Sequence, residues 1–589
     1  MIQEKTLPAL LKKRAEQSPQ HTAHWLLNKQ EQWVPVTWQA FYHEVCYLAG
    51  QIKALGISKG QVVAIMAATG REWELVHHAV LMLGGIVVGI DPNETEDQFK
   101  SIIKIAAIQT LVIDRLERLN KFTPDIASSF NILTWDTSTN NTLNTNLSVL
   151  NLAVPVSAKQ INEQFLDSVS PDDTATIIFT SGTTGTPKGI AYRHEQILAA
   201  VDAILQTYPE FYQQPCHLVC WLPLSNLFQR IVNLCAVGGG AQVYFVTQPQ
   251  KILEYLPQIN PHIFIAVPRF YEKIYQGLQT KLDQQPKAIA QILQFCLTVG
   301  ESTTLLGKLF KYINRHLFKS FRVLFGNHIR YMISGSAPMP LWLLRRFNAL
   351  GLLILEAYGM SENVVPIAAN SPSAYQFGTV GKAMPGNQVK LADDGELLVK
   401  GLGAFSGYLG QASALDEQGY IASGDYAEID AHGFIRLTGR KSEVFKTSTG
   451  RKIAPAGIEA HLQQLSEVEH AVIFGASKKY LVALLTVIQP CPSETAAIIA
   501  YTQQLQASLR QCVVELPDYK RPVGIVLYLG SFSVGQQELT SNLKLRRNNI
   551  LQRYGTYIEQ LYTALDNPQS DIHQKPVVIN EKTVLMKLF

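Results

Sequence analysis

Gln61 to Ala67 (QVVAIMA) is a short, β-branched, almost wholly apolar run, the pattern of a strand buried on both faces. A helical stretch around Trp73 to Leu83 follows it, and then a second strand-like run, Ile86 to Ile90. Strands alternating with helices imply crossover connections and a largely parallel sheet. The same alternation is read at Thr174 to Leu205 and at Val243 to Tyr275. Before it, Val36-Thr37-Trp38 opens a helical pattern running toward Leu55, with Gly56 as its stop. After about Gly378 the texture changes to short strands and frequent turns: Asp393-Asp394-Gly395, Glu417-Gln418-Gly419 and Ala431-His432-Gly433. No repeat of 20–50 residues is visible, which excludes a solenoid.

Within this frame Thr174 to Gly189, TATIIFTSGTTGTPKG, carries the strongest chemical signal. A β-branched strand, Thr176 to Phe179, runs into a loop of hydroxyls and glycines. Glycines let backbone N–H groups turn toward an anion, hydroxyls add short donors, and Lys188 supplies charge. Such a loop suits the phosphates of a nucleotide. It is not a Walker loop, because position 187 is proline and Gly189 follows Lys188. Gly401 to Gly407 is one residue too long for GxGxxG, which leaves no dinucleotide fingerprint. Gly56-Ile57-Ser58-Lys59-Gly60 fits the letters of GxSxG but lies between a helix and a following strand, the reverse of a nucleophile elbow. No HExxH pair is present.

Composition narrows the class. The 589 residues carry 51 basic and 47 acidic side chains, a net charge of +4, which excludes a strongly basic nucleic-acid binder. Charged residues are 17% of the chain against about 25% in a typical globular protein, so the surface permits an oligomer such as a homodimer, or a membrane-adjacent protein. Cys46, Cys216, Cys220, Cys235, Cys296, Cys491 and Cys512 are scattered, never in CxxC spacing, and read as ordinary thiols in a reducing compartment. The first residues show no export pattern, and the longest apolar run, Ala79 to Ile90, is short of the ~20 residues that span a bilayer. The expectation is a cytoplasmic protein without a spanning helix.

Further segments share an order with the loop. Ser334-Gly335-Ser336-Ala337-Pro338, Tyr358-Gly359-Met360-Ser361-Glu362, Ser423-Gly424-Asp425 and Gly439-Arg440-Lys441 follow TSGTTGTPKG in sequence. Together they resemble the ordered motifs of the adenylate-forming superfamily. Leu222-Pro223-Leu224 with Arg230, the segment Val267 to Tyr275 (VPRFYEKIY) and Glu538 to Arg547 (ELTSNLKLRR) are most similar to long-chain acyl-CoA synthetases. The resemblance covers roughly residues 5 to 565.

It implies an α/β fold. A large N-terminal domain, 1–440, would hold mixed and parallel sheets with flanking helices and a hairpin-rich β portion. A small mobile α+β domain, 441–565, would follow, then a tail, 566–589, without a readable pattern. The implied reaction joins a fatty acid carboxylate to the α-phosphate of ATP, and the thiol of CoA then displaces AMP. An acyl-AMP ligase loading a carrier-protein thiol shares every residue of the first step, and a non-catalytic nucleotide- or acyl-binding protein is a remoter alternative.

The resemblance also implies roles. Thr180, Ser181, Gly182, Thr183, Thr184, Gly185 and Lys188 would cradle the leaving pyrophosphate, and Glu362 with Thr184 would hold Mg2+. Gly335, Ser336 and Ala337 would lie beside the adenine, with Tyr358, Gly359 and Ser361 completing that wall. Asp425 would accept from the ribose hydroxyls, Arg440 would reach ribose or phosphate, and Lys544 would serve as catalytic lysine. Read locally, Tyr358 also fits a core position, Arg440 a solvated surface, and Lys544 a basic helix start. The hinge would lie at Lys441-Ser442, where relatives usually carry Asp or Lys in place of Ser442. Asn226 stands where they usually carry His. The aromatic stretch Trp221 to Phe245 and VPRFYEKIY are candidates for an acyl tunnel.

Lys308, Lys311, Arg315, Lys319 and Arg322 are spaced 3, 4, 4 and 3, a stripe about 80° wide on a helix. Leu306, Leu309, Phe310, Ile313, Leu317, Phe321 and Leu324 occupy the other face. Two readings of the 306–324 helix stand. In the first the apolar face packs on the protein and the charges are solvated. In the second the basic stripe meets anionic lipid, a peripheral membrane contact.

Overall fold

The computed structural model describes residues 2–123, 130–136, 146–152, 168–181, 187–465, 467–487, 494–533, 535–539 and 545–589. The chain divides into two compact units. The first comprises Met1–Ser336, Arg345–Lys390 and Leu398–Ile421; the second comprises Ala337–Leu344, Leu391–Leu397 and Ala422–Phe589.

In the first unit the apolar runs become a seven-stranded sheet. Its strands are β1 (Val62–Met66), β2 (Ile86–Gly89), β3 (Thr110–Ile113), β4 (Asn131–Thr134), β5 (Asn146–Val149), β6 (Thr174–Ser181) and β7 (Pro187–Arg193), in the order β5-β4-β3-β1-β2-β6-β7. All neighbours are parallel except β6 and β7. Ala64, Met66, Val88, Leu111, Ile113, Ile132 and Ile177 meet in one core, which is why these strands read as continuous apolar runs and do not alternate. The helix Trp38–Ala54 starts on the Thr37 side chain, which accepts from Ala40 N at 3.2 Å. It ends before Gly56, whose φ of +91° favours glycine.

The crossover expected at Thr174 to Leu205 is replaced by a hairpin. β6 and β7 are antiparallel, with Thr180 opposite Lys188 and Ser181 opposite Pro187. The connection spans only residues 182–186, and a parallel return needs a dozen residues or more. The helix of that unit, His194–Thr207, comes after the hairpin.

Two further sheets complete the unit. One orders His217–Cys220, Gln242–Phe245, Thr22–Leu27 and Trp33–Thr37; the other orders Ile263–Ala266, Tyr331–Ser334, Ile354–Met360, Asn363–Ala369 and Lys382–Ala383. The proposed tunnel segments are densely packed here. Trp221 stacks on Phe264 at 5.8 Å, and the Tyr271 hydroxyl donates to Ile333 O at 3.0 Å. Arg230, wholly buried, donates to Thr176 Oγ1 on β6 at 2.9 Å and lies over the Trp73 ring. It therefore braces the strand that feeds the phosphate loop.

The region from 306 to 324 departs from the first reading of its amphipathic pattern. It is two helices, Leu305–Leu317 and Lys319–Val323. Leu306, Leu309 and Leu317 are exposed, and Gly307 and Asn314 face inward instead.

In the second unit the strands Val468–Phe474, Leu481–Val487, Pro522–Tyr528, Thr583–Lys587 and Val577–Asn580 form a five-stranded sheet in that order. Helices Pro455–Leu462 and Thr495–Val514 supply the core on one face, and Arg547–Asp566 the core on the other. The residues after Asp566, patternless in sequence, contribute the last two strands, with Val584, Leu585, Met586 and Leu588 buried. All three turns read from the sequence form, with Gly395, Gly419 and Gly433 at φ of +89°, +80° and +82°. Among the described residues no helix is long and apolar enough to cross a membrane. The six described cysteines are free thiols, while Cys491 lies outside the described residues.

Candidate nucleotide site

The expected phosphate loop, Gly182, Thr183, Thr184 and Gly185, lies outside the described residues, as does Lys544. Its two stems are described. β6 delivers Thr180 and Ser181, and β7 returns with Lys188 directly across from Thr180. Gly189 then passes so close to the 408–409 segment that a Cβ there would stand 2.9 Å from Leu409, and Gly189 O accepts from Leu409 N at 2.9 Å. This backbone hydrogen bond sets Tyr408 beside Lys188. The Lys188 ammonium sits 4.8 Å from the centre of the Tyr408 ring, a cation–π contact.

Glu362 arrives from elsewhere in the fold. Strands Ile354–Met360 and Asn363–Ala369 form an antiparallel hairpin with Met360 opposite Asn363, which leaves Ser361 and Glu362 as its tip. The tip is tied down three times. Tyr192 on β7 donates its hydroxyl to Ser361 O at 2.5 Å, Phe405 N donates to Glu362 O at 2.9 Å, and the Tyr408 hydroxyl donates to Glu362 Oε1 at 2.6 Å. Burial, together with the Glu362 carboxylate, raises the pKa of both tyrosines, so both remain donors.

A cation and an anion from distant segments thus share one tyrosine. Neither Tyr192 nor Tyr408 was singled out from the sequence. Tyr192 occupies an inward position of a strand, a place any core tyrosine fills, and Tyr408 follows Ser406-Gly407 in a segment that carries no local signal.

The residues expected beside the adenine leave the carboxyl ends of neighbouring parallel strands. Tyr331–Ser334 pairs with Ile354–Met360, with Ser334 opposite Glu356. Gly335 and Ser336 therefore emerge alongside Ala357 and Tyr358, the edge of a sheet where α/β folds place ligands. Gly335 lies 3.6 Å, measured from an added Cβ, from Ala357 O. Ser336 is exposed and adopts φ of +72°, an uncommon conformation for a non-glycine residue. Tyr358 is half-buried and Gly359 exposed. Ala337 opens the first stretch of the second unit. Asn226 is exposed, just before the helix Leu227–Gly239, in a loop that presses on Gly89 at the end of β2.

In the second unit, strands Ile421–Ile429 and Ile435–Arg440 pair with Asp425 opposite Arg440. The Arg440 guanidinium lies 3.2 Å from the Asp425 carboxylate, which is itself buried. The Ser423 hydroxyl accepts from Asp425 N at 3.1 Å. Glu396, absent from the sequence reading, organises this turn. Its Oε1 accepts from Gly424 N at 2.9 Å, and its Oε2 accepts from the Lys441 ammonium at 2.6 Å, with Asp394 2.9 Å away on the same ammonium. Hydrogen bonds to Glu396 and then to Asp394 raise the Lys441 pKa. The first residue of the expected hinge is therefore held by two carboxylates.

Comparison with known proteins follows the same lines. Residues 11–409 match the AMP-binding enzyme family, and residues 443–566 match the AMP-binding enzyme C-terminal domain. The long-chain-fatty-acid–CoA ligase FadD15 of Mycobacterium bovis is 26% identical over 560 residues, 90% of this chain and 92% of that protein. A putative fatty-acid–CoA ligase, fadD11, of Mycobacterium tuberculosis is 30% identical over 437 residues, 68% of this chain and 76% of its own length. The fold is shared with the adenylation domain of a carboxylate reductase from Mycobacterium chelonae (TM-score 0.71, 20% identity, 95% and 91% of the two chains). It is also shared with a Mycobacterium tuberculosis fatty acyl CoA synthetase (TM-score 0.60, 18% identity, 94% and 99%). With its phosphate-loop hairpin, its acidic hairpin tip and more than half of its length matched, this chain belongs to the AMP-binding enzyme family.

Proposed function

We propose that the chain is a long-chain fatty acid–CoA ligase. The fatty acid carboxylate attacks the α-phosphate of ATP, the bond to pyrophosphate breaks, and acyl-AMP forms. The CoA thiol then attacks the acyl carbon, loses its proton, and AMP leaves. The observation that carries this reading is the convergence of Lys188 and Glu362 on Tyr408. The first step brings a carboxylate onto a polyanion, so its barrier is largely electrostatic and falls when countercharge is positioned in advance.

Lys188 and the loop hydroxyls would neutralise the departing pyrophosphate. Glu362, a half-exposed carboxylate at a pinned hairpin tip, fits Mg2+, which takes few carboxylates and completes its shell with phosphate oxygens and water. Thr184 would assist it. The ion would spread phosphate charge during displacement. Tyr358 would stack on adenine beside the Gly335–Ala337 loop, Asp425 would accept from the ribose hydroxyls, and Arg440 would orient Asp425 and reach the same sugar. Acyl affinity would come from methylene burial, at about 0.8 kcal/mol each. Residues 1–440 would form the large domain and 441–565 a lid that turns at Lys441-Ser442, with the 566–589 strands completing the lid's sheet.

The test is fatty-acid-dependent exchange of labelled pyrophosphate into ATP, followed by product analysis with CoA and with a carrier protein. Exchange plus acyl-CoA is expected. Nucleotide binding without exchange would leave only a binding protein, and acyl-carrier product without acyl-CoA would make it an acyl-AMP ligase of the other kind.

Tyr408 gives a sharper expectation. Tyr408→Phe keeps the ring beneath Lys188 and deletes the donor to Glu362. A hydrogen bond to a charged group contributes about 1.5–3 kcal/mol, so exchange is expected to fall at least about tenfold. Thermal unfolding should be unchanged, and wild-type exchange in this variant would remove Tyr408 from the site.

A further inference from the structure

The helices Lys287–Gly300 and Leu305–Leu317 pack as a hairpin, and the second of them is inverted: its buried residues are Gly307 and Asn314 while its leucines turn outward, the reverse of an ordinary surface helix. The inversion has a local cause. Gly307 turns so tightly against the preceding loop that an added Cβ would stand 2.1 Å from Ser302 O. Asn314, wholly buried, donates from Nδ2 to Cys296 O at 3.0 Å and to Ala349 O at 3.2 Å. Lys311 donates to Asn348 Oδ1, and the Arg322 guanidinium donates to Leu350 O at 3.3 Å and Gly351 O at 3.2 Å. These polar contacts fix which face turns inward.

The opposite face is left to leucine and aromatic side chains. Leu305 is 85% exposed, Tyr312 62% and Phe295 60%, and Ile292, Leu306 and Leu309 are exposed with them. Phe295 and Phe310 touch edge to face at 5.9 Å, which joins the two helices' apolar surfaces into one patch. Isolated exposed hydrophobics are ordinary, but a contiguous patch of this kind marks an interaction site.

Charge selects the occupant. From Lys287 to Lys319 the bases are Lys287, Lys308, Lys311, Arg315 and Lys319, and the only acid is Glu301, which is paired to Arg346 at 2.7 Å. At 100° per residue, Leu305, Leu309 and Tyr312 lie opposite Asn314, with Lys308 and Arg315 exposed along one flank of the same helix and Lys319 exposed at the start of the next. An apolar ridge bordered by cations matches a bilayer bearing anionic headgroups. A second copy of this chain would set one cationic row near another.

We propose that this hairpin is a lipid-docking surface, with its apolar ridge seated among acyl chains and Lys308, Arg315 and Lys319 at the headgroups of an anionic bilayer. The inference uses none of the nucleotide-site residues.

The test is flotation of the full-length chain with vesicles of phosphatidylcholine, with or without phosphatidylglycerol. Binding to the anionic vesicles is expected. Replacing Lys308, Arg315 and Lys319 together by glutamine should weaken it about 10²-fold, since each surface cation accounts for about a fivefold gain. The double variant Phe295→Glu, Leu309→Glu should weaken it at least tenfold. All five side chains are outward, and pyrophosphate exchange with a water-soluble short-chain acid should confirm the fold of each variant. Failure of the wild type to float would overturn the proposal, as would undiminished flotation of either variant. A solution dimer that the apolar variant splits, with vesicle binding intact, would assign the patch to a second copy instead.

Discussion

Replacing Lys544 by alanine is expected to slow acyl-AMP formation by at least about 10²-fold, the usual scale for one preorganised electrostatic group. Thiol transfer from supplied acyl-AMP should slow far less, because that step no longer joins two anions. Residues 540–544 lie outside the described residues, but both flanks are pinned. Leu539 and Leu545 form an antiparallel bridge, and Glu538 O accepts from Arg546 N at 2.8 Å. The buried Glu538 carboxylate accepts from Ser533 N at 3.0 Å and the Tyr554 hydroxyl at 2.8 Å, with the Arg553 guanidinium 3.3 Å away. The chain on both sides of Lys544 is therefore fixed, and trimming its side chain should leave the second unit's unfolding midpoint in place. Measuring the two half-reactions separately decides the matter. Equal losses in both would refute a role confined to adenylation.

The parts of this molecule legible in sequence are those in which local pattern and burial agree. Val62–Met66 and Ile86–Gly89 are apolar on both faces because helices cover the sheet, and the three turns carry glycines that the structure places at positive φ. The site was legible where chemistry is concentrated in one stretch, as in the phosphate loop and its Lys188. It was illegible where a residue acts through a partner distant in sequence. Tyr408 acquires meaning only when Leu409 N reaches Gly189 O, and Glu396 only when it meets both Gly424 and Lys441. The orientation of Leu305–Leu317 was illegible for a related reason. Periodicity shows that two faces differ, but the buried hydrogen bonds of Asn314 choose which one turns inward.

Arg547→Ala is expected to destabilise the second unit by about 3–5 kcal/mol, the cost of leaving a buried carboxylate without its partner. In the sequence this arginine is one more base in LKLRR. In the fold it opens the helix Arg547–Asp566 and turns both terminal nitrogens onto Glu459, at 2.6 Å from Oε1 for the first, while its Nε lies 3.4 Å from Glu443. Glu459 is buried and accepts from Ile473 N at 2.7 Å, so the pair joins the helix Pro455–Leu462, the strand Val468–Phe474 and the start of the 547–566 helix. Burial already pushes the Glu459 carboxyl above the ordinary range against the pull of Arg547. Without the arginine it should rise further, and a carboxyl whose folded pKa exceeds its unfolded one favours the folded state at low pH and loses that advantage as pH rises. The penalty should therefore shrink as pH falls from neutral toward the ordinary carboxylate range, read as urea unfolding of wild type and variant across that range. Glu459→Gln combined with Arg547→Met should recover most of the lost stability, because a neutral pair of similar volume needs no countercharge. A penalty independent of pH, or no rescue in the double variant, would locate the cost of Arg547→Ala in packing instead of charge.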